Sequence, residues 1–241
     1  MKILPCLTVC VLFAAPALAA NELPPANIRV EVQMVAVPQI KALELLPNLQ
    51  DTGSIDFAFS EIQKLIAKGE AKLIAWPQVV TKSGQRAVSE GIEELRYPAE
   101  FIRTEKSSTA APVKPVDPEK DKRGVDQDLS APGEFETRNV GATLEVEPVL
   151  SPDGKTIDFN LVSQHVAFLG FKQHSSVKDS KGNEWSVEQP QFSTAKTNTS
   201  LTVRTGQRIL LATFRVTEPA DYFEFFILRA DVLPVPAGAA K

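Results

Sequence analysis

Asn139-Val140-Gly141-Ala142-Thr143-Leu144-Glu145-Val146-Glu147-Pro148, followed by Val149-Leu150-Ser151-Pro152-Asp153-Gly154-Lys155-Thr156-Ile157-Asp158-Phe159-Asn160-Leu161, is the stretch whose reading decides the fold. Val140, Ala142, Leu144 and Val146 alternate with Gly141, Thr143, Glu145 and Glu147. Successive side chains of a strand point to opposite faces, so this spacing gives one apolar face and one polar one. Ser151-Pro152-Asp153-Gly154 has proline second and glycine last, as a type I turn prefers. Ile157, Phe159 and Leu161 then return on alternate positions. The two runs make a hairpin with a single apolar face.

Working outward, the chain after this hairpin is nearly all β. Leu201 to Arg204, Arg208 to Val216 and Tyr222 to Leu233 read as strands, the last two joined by the short Thr217-Glu218-Pro219-Ala220-Asp221. Ile28 to Val37, near the start, alternates with Ile28, Val30, Val32, Met34 and Ala36 on one side and Arg29, Glu31 and Gln33 on the other. Ile55 to Lys68 changes to helical spacing, with Ile55, Phe59, Ile62 and Ile66 on one stripe. Ser60 and Gln63 have the spacing of a capping box, and Gly69 stands where a helix C-terminus wants glycine. Leu73 to Val80 and Ala87 to Tyr97 read as strands joined through the turn Lys82-Ser83-Gly84-Gln85. No internal repeat is evident.

Between these ordered parts, Thr104 to Glu134 carries Pro112, Pro115, Pro118 and Pro132, the charge run Glu119-Lys120-Asp121-Lys122-Arg123, and almost no large apolar residue. Such a segment cannot bury enough surface to offset its ordering entropy and is expected to be a disordered loop. The organisation expected is therefore a signal peptide over 1–20, a strand-helix-strand part over 21–103, the loop over 104–134, a β-rich part over 135–235 and a tail over 236–241. The fold class is mainly β (α+β), with one or two helices in the N-terminal half.

The first residues set the compartment. Lys2 precedes an apolar run from Ile3 to Phe13, and Ala17-Leu18-Ala19 offers small residues before Asn21-Glu22, the order of a secretory signal peptide. That run is shorter than the roughly 20 residues a membrane helix needs. Cys6 and Cys10, the only cysteines, lie inside the leader. The exported chain therefore has neither disulfides nor a cysteine nucleophile, and must be held by core burial or by oligomerisation. A net charge of −4 lacks the basic excess that nucleic-acid binding calls for.

Catalytic patterns are missing as well. His165 and His174 are the only histidines, and no His-Glu-x-x-His or Gly-x-Ser-x-Gly arrangement is present. His165 reads as a strand residue and His174 as part of a polar turn. Glu93 and Glu94 are neighbours on a strand and face opposite ways, so they read as a solvated edge. Asn198-Thr199-Ser200 matches a glycosylation acceptor by chance. Trp76 and Trp185 read as core anchors. No catalytic, cofactor-binding or metal-ligating residue is assigned, and the chain is expected not to be an enzyme.

Several blocks, in order, resemble one family. Leu73-Ile74-Ala75-Trp76-Pro77-Gln78-Val79-Val80-Thr81 followed by Ser83-Gly84-Gln85-Arg86-Ala87-Val88 is similar to the secretin pattern of strand, proline, threonine and turn. Arg96-Tyr97-Pro98-Ala99-Glu100-Phe101 resembles its continuation in a subgroup of secretin-like proteins. Asn139 to Pro148 resembles the strand that reads Val-Gly-x-x-Leu-x-Val-x-Pro, and the Ser151 to Leu161 hairpin follows in place. Gln191-Phe192-Ser193-Thr194, then Thr199-Ser200-Leu201-Thr202-Val203 and Gly206-Gln207, are similar to the next pair of strands. The resemblance runs from about Ile28 to Leu233. It implies a subunit of type II or type III secretion systems or pilus machines, which assembles into rings whose pooled strands form a large gated barrel in the outer membrane. The partners implied are further copies of the chain or a larger secretion-system component, and the location is the periplasm or outer membrane of a Gram-negative-type bacterium. Two departures keep a second reading open, a soluble periplasmic β-rich binding domain that forms no pore. Leu211-Ala212-Thr213-Phe214 stands where paired glycines are common, and only Thr217 to Asp221 precedes the final strand where the family has a longer excursion.

Overall fold

The computed structural model describes residues 26–105, 127–178, 184–216 and 221–234. The expected signal peptide and tail, and the central part of the expected loop, lie outside these residues. The chain runs β1 (Ala26–Pro38), α1 (Gln39–Gln50), α2 (Ile55–Ala67), β2 (Lys72–Ala75), β3 (Gln78–Lys82), β4 (Ala87–Pro98), β5 (Phe101–Glu105), β6 (Gln127–Pro132), β7 (Phe135–Leu150), β8 (Thr156–Lys178), β9 (Glu184–Arg204), β10 (Arg208–Val216) and β11 (Tyr222–Pro234). The mainly β class with two helices is as expected.

The elements form three layers. One sheet has the order β10-β11-β1-β2, with β3 also on β1, end to end with β2. The other has the order β4-β7-β8-β9, and all pairings in both are antiparallel. Apolar faces of the two sheets meet. Ile28, Val30, Val32 and Met34 of β1 and Phe226, Leu228 and Ala230 of β11 pack on Ala142, Leu144 and Val146 of β7 and Ile157, Phe159 and Leu161 of β8. The alternation that decided the hairpin thus becomes the inter-sheet core, where each fully buried Leu, Ile or Phe contributes about 1.5–3 kcal/mol.

The second face of the first sheet is covered by the helices. Val35, Val37, Phe225 and Ile227 pack under Ala42, Leu45 and Leu49 of α1 and Ile55, Ala58 and Ile62 of α2. Strand β11 therefore buries both faces, which explains why Phe223, Phe225 and Phe226 do not alternate with polar residues.

Local chemistry sets the boundaries. Ser151 accepts from Gly154 N at 2.9 Å, with Gly154 at φ +68°, so the expected turn forms. Helix α2 ends at Gly69, whose φ of +76° lets Glu70 N and Ala71 N turn back to Leu65 O. Helix α2 starts at Ile55, as its spacing predicts, with Ser54 at the N-cap; the expected capping box is corrected, since Ser60 lies inside the helix with its hydroxyl donating to Asp56 O. Helix α1, which carries Pro47, follows directly on Pro38.

The loop expected over 104–134 is also corrected at its ends. Strands β5 and β6 pair with each other, from Phe101↔Pro132 to Glu105↔Gln127, leaving 106–126 outside the described residues. The physical reason is continuity. The β4–β7 ladder runs to Pro98↔Phe135, and Ala99 N donates to Glu134 O and Gly133 N to Glu100 O just beyond it. Once the chains are registered, each further pair adds hydrogen bonds without a new loop to close.

Candidate assembly interface

Both sheets end in open strands. At one side of the sandwich β3 lies over β4, and at the other β10 lies over β9, so that among the described residues each flank presents two unpaired edges, one above the other. An unpaired edge offers a row of backbone donors and acceptors to another chain.

The second sheet also divides. Pairing of β7 with β8 stops at Gly141↔Val166, while β4 stays with β7 out to Pro98 and β8 stays with β9 out to Lys178↔Glu184. Two ribbons therefore leave the sandwich at Gly141. Its φ is +126°, and a Cβ there would come within 2.2 Å of Gly91 O, so only glycine fits. Beyond the branch the ribbons contact each other through side chains. Phe192 of β9 lies 5.9 Å from Tyr97 of β4 and 5.8 Å from Phe168 of β8, centroid to centroid. The guanidinium of Arg138 sits 4.6 Å over the Phe192 ring and donates to Thr194 Oγ1 at 3.1 Å.

Inside the sandwich, one polar contact crosses the apolar core. Nδ1 of His165, on β8, is 2.8 Å from Oε1 of Glu224, on β11, with side-chain exposures of 14% and 3%. Among the described residues this is the one contact between a basic and an acidic side chain that joins the two sheets. The approach is misaligned, so Glu224 Oε1 has no well-formed hydrogen bond, and neither does the buried Ser163 hydroxyl two residues before His165. His165 is thus the polar side chain nearest this buried carboxyl group. Burial and then the Glu224 charge hold the Tyr222 phenol above its ordinary range. Across β1 and β11, Asp231 takes Arg29 at 2.7 Å and Arg229 at 3.2 Å.

The residues singled out in the sequence scatter. His165 is in the core contact. His174 is not in a turn but in β8, next to the pairing irregularity between Gln173 and Ser175. Glu93 and Glu94 are exposed on the edge strand β4. Asn198, Thr199 and Ser200 lie on β9, and Ser200 Oγ donates to Asn160 Oδ1. Trp76 is not a core anchor: it is 50% exposed, at the break between β2 and β3, where Pro77 has no N–H to give the ladder. Trp185 pairs through its backbone with Val177. Glu224 carries no motif, and the one sequence signal for it is a lone carboxylate inside Tyr222-Phe223-Glu224-Phe225-Phe226. Among the described residues no three or more His, Cys, Asp or Glu side chains converge on a metal-sized site, and no helix is long and apolar enough to cross a membrane.

Among the described residues, the stacked sheets leave four strand edges without a partner, and two ribbons branch from the second sheet. The secretin family model, described as a bacterial type II and III secretion system protein, matches residues 64–215, and the chain belongs to this family. Among solved structures, it is similar to the type II secretion system secretin GspD of E. coli K12, at 13% identity and a TM-score of 0.42, covering 89% of this chain and 52% of that one. It is also similar to the InvG secretin domain β-barrel of the Salmonella SPI-1 injectisome, at 10% identity and a TM-score of 0.45, with coverage of 92% and 67%. For Aeromonas hydrophila ExeD the values are 11%, 0.42, 88% and 49%. The chain spans about half the length of the first and last of these. No curated protein sequence matches it.

Proposed function

We propose that the chain is a non-enzymatic structural subunit of a secretin-type ring in the bacterial envelope, closed by edge-to-edge addition of strands from neighbouring copies. The observation that carries this reading is the parity of the two sheets. Each offers four strand positions across, since β2 and β3 share one place beside β1. With every pairing antiparallel, an even number means that the two outer strands run in opposite directions. A second copy placed head to tail then continues both sheets antiparallel, with no inversion. Each position is about 4.8 Å wide, so each copy adds about 19 Å to either wall, and the two seams can close together. A head-to-tail contact that closes by rotation gives a ring.

The polarity of the layers fits a channel. The free face of the second sheet carries Glu145, Glu147, Asp158, Asn160 and Lys196, a surface suited to a water-filled lumen. The helices cover the opposite side. In this reading the β4–β7 and β8–β9 ribbons project from the ring wall.

Protein extracted from native envelopes in mild detergent, measured by light scattering after size exclusion and imaged by negative stain, is expected to give ring-sized multimers. A clean monomer in both membrane and soluble fractions would refute the ring. The second reading, a soluble periplasmic binding domain, is favoured by the packing of Phe192 against Tyr97 and Arg138, which covers part of the ribbons within one chain. It predicts release by osmotic shock without detergent, and recovery of the protein with membranes would exclude it.

A further inference from the structure

We infer that the seam between copies is set in one register by an ion pair between Glu90 on β4 of one copy and Lys196 on β9 of the next; this rests on the ring reading above. Rows of paired residues cross the second sheet from one edge to the other. Glu90 pairs with Thr143, Thr143 with Gln164, and Gln164 with Lys196. Directly opposed residues of an antiparallel sheet share a face, so Glu90 and Lys196 stand at one height, on one face, at the two outer edges. Both are exposed. A copy added head to tail without displacement puts the carboxylate of one against the ammonium of the other.

The neighbouring rows agree with that register. Traced in the same way, Ala87 falls opposite Thr199, Val88 opposite Asn198, Ser89 opposite Thr197, Gly91 opposite Ala195 and Ile92 opposite Thr194. Glu90 and Lys196 make the one charged row among these six, and its signs are opposite. A slip of one residue would turn every side chain of the joining strand to the wrong face. A slip of two keeps the faces but sets Glu90 against Thr194 or Asn198, so the attraction is lost.

The first sheet gives a second, independent indication. Its rows run from Leu210 through Ile227 to Gln33, and from Ala212 through Phe226 to Met34 and Ala75. Trp76 follows Ala75 and precedes Pro77, whose carbonyl accepts from Val32 N, so it stands at the height of Gln33 and Leu210. On the β10 flank, at that height, a groove of about 370 Å³ is lined by Leu49, Ile55, Leu210 and Ala212. The undisplaced register that joins Glu90 to Lys196 thus also brings a half-exposed tryptophan to an apolar groove on the neighbour. Aromatic anchors of this kind dominate interfaces.

Charge exchange tests the pairing. Glu90→Lys and Lys196→Glu, each alone, oppose like charges at every seam. Each is expected to raise the protein concentration at half-assembly, read by light scattering, by about fivefold or more. The double variant Glu90→Lys/Lys196→Glu restores the pair with its signs reversed and is expected to assemble like the parent. Both positions are exposed, and circular dichroism of each variant verifies the fold. A Val88→Cys/Asn198→Cys variant places thiols in one row and is expected to form a disulfide ladder on oxidation, whereas Val88→Cys/Lys196→Cys is not. If the parent assembles but the double variant is no better than the singles, or the ladder forms only from the displaced pair, the register is wrong and the ring reading stands. If the parent itself never assembles, both fall.

Discussion

Gly141→Ala tests the branch point of the second sheet. Two costs follow from its position. A residue with a side chain at φ +126° sits in a region that only glycine occupies readily, which costs roughly 1–3 kcal/mol. The added Cβ would also lie 2.2 Å from Gly91 O, and 3.1 Å from both Gly91 C and Ile92 Cα, so the obstacle is backbone that cannot rotate aside. The β4–β7 ladder must shift at Gly91–Ile92, and a forced shift of packed strands adds about 1–3 kcal/mol. The sum is about 2–6 kcal/mol, which for a domain of this size lowers Tm by about 4–24 °C. Gly91→Ala is the matched control. Gly91 has an ordinary φ and open space around its Cβ position, so the change stays within about 0.5 kcal/mol. Urea and thermal unfolding followed by circular dichroism measure both variants. Equal stability of the two would refute the claim that the ribbons diverge where they do because only a glycine lets β7 pass β4 so closely.

Three further predictions concern single side chains. His165→Ala removes the polar partner nearest the buried Glu224 side chain and is expected to cost about 1–3 kcal/mol, part of it recovered by Glu224→Gln in the same chain; absence of that recovery in urea titrations would show that the two side chains act separately. Burial works to raise the Asp231 carboxyl, but hydrogen bonds from Arg29 and Arg229 outweigh it and hold the group below the ordinary range. Stability from this group is therefore fully present above about pH 3.9, the unfolded value, and drains away as pH falls through the lower folded value. Asp231→Asn should flatten that acid limb, and an unchanged limb in pH-dependent unfolding would count against the arrangement. Ser60→Ala should be nearly neutral, within about 0.5 kcal/mol, because Ser60 bonds back to Asp56 O inside α2 and caps nothing; a loss above about 1 kcal/mol would restore its capping role.

How much was legible in the sequence depended on how many neighbours each residue needs. The 140–161 hairpin was fully readable, since alternation and a four-residue turn are local properties, and its apolar face became half of the inter-sheet core. Helix α2, its start at Ile55 included, is legible from its stripe, but the capping box at Ser60 is not there, because serine offers the same hydroxyl to a cap or to the preceding turn. Helix α1 carries Pro47 in its interior, so local rules argue against it, and packing of Ala42, Leu45 and Leu49 on the first sheet overrides them. Trp76 was misread as a core anchor because apolarity alone does not tell a buried aromatic from one held at an open edge.

By itself, the order of residues determined the period of each segment, the turn at Ser151–Gly154, and therefore a chain of antiparallel strands with apolar faces to hide. It also carried the family blocks, because those are short strings of local pattern. Only the tertiary structure decided which edges stay open, that the second sheet divides at Gly141, and that His165 meets Glu224 from a strand 59 residues away. Those are long-range facts. A strand's spacing says which face must be buried, whereas the identity of its neighbour, and whether it has one, is settled only when all the sheets compete for the same apolar surface.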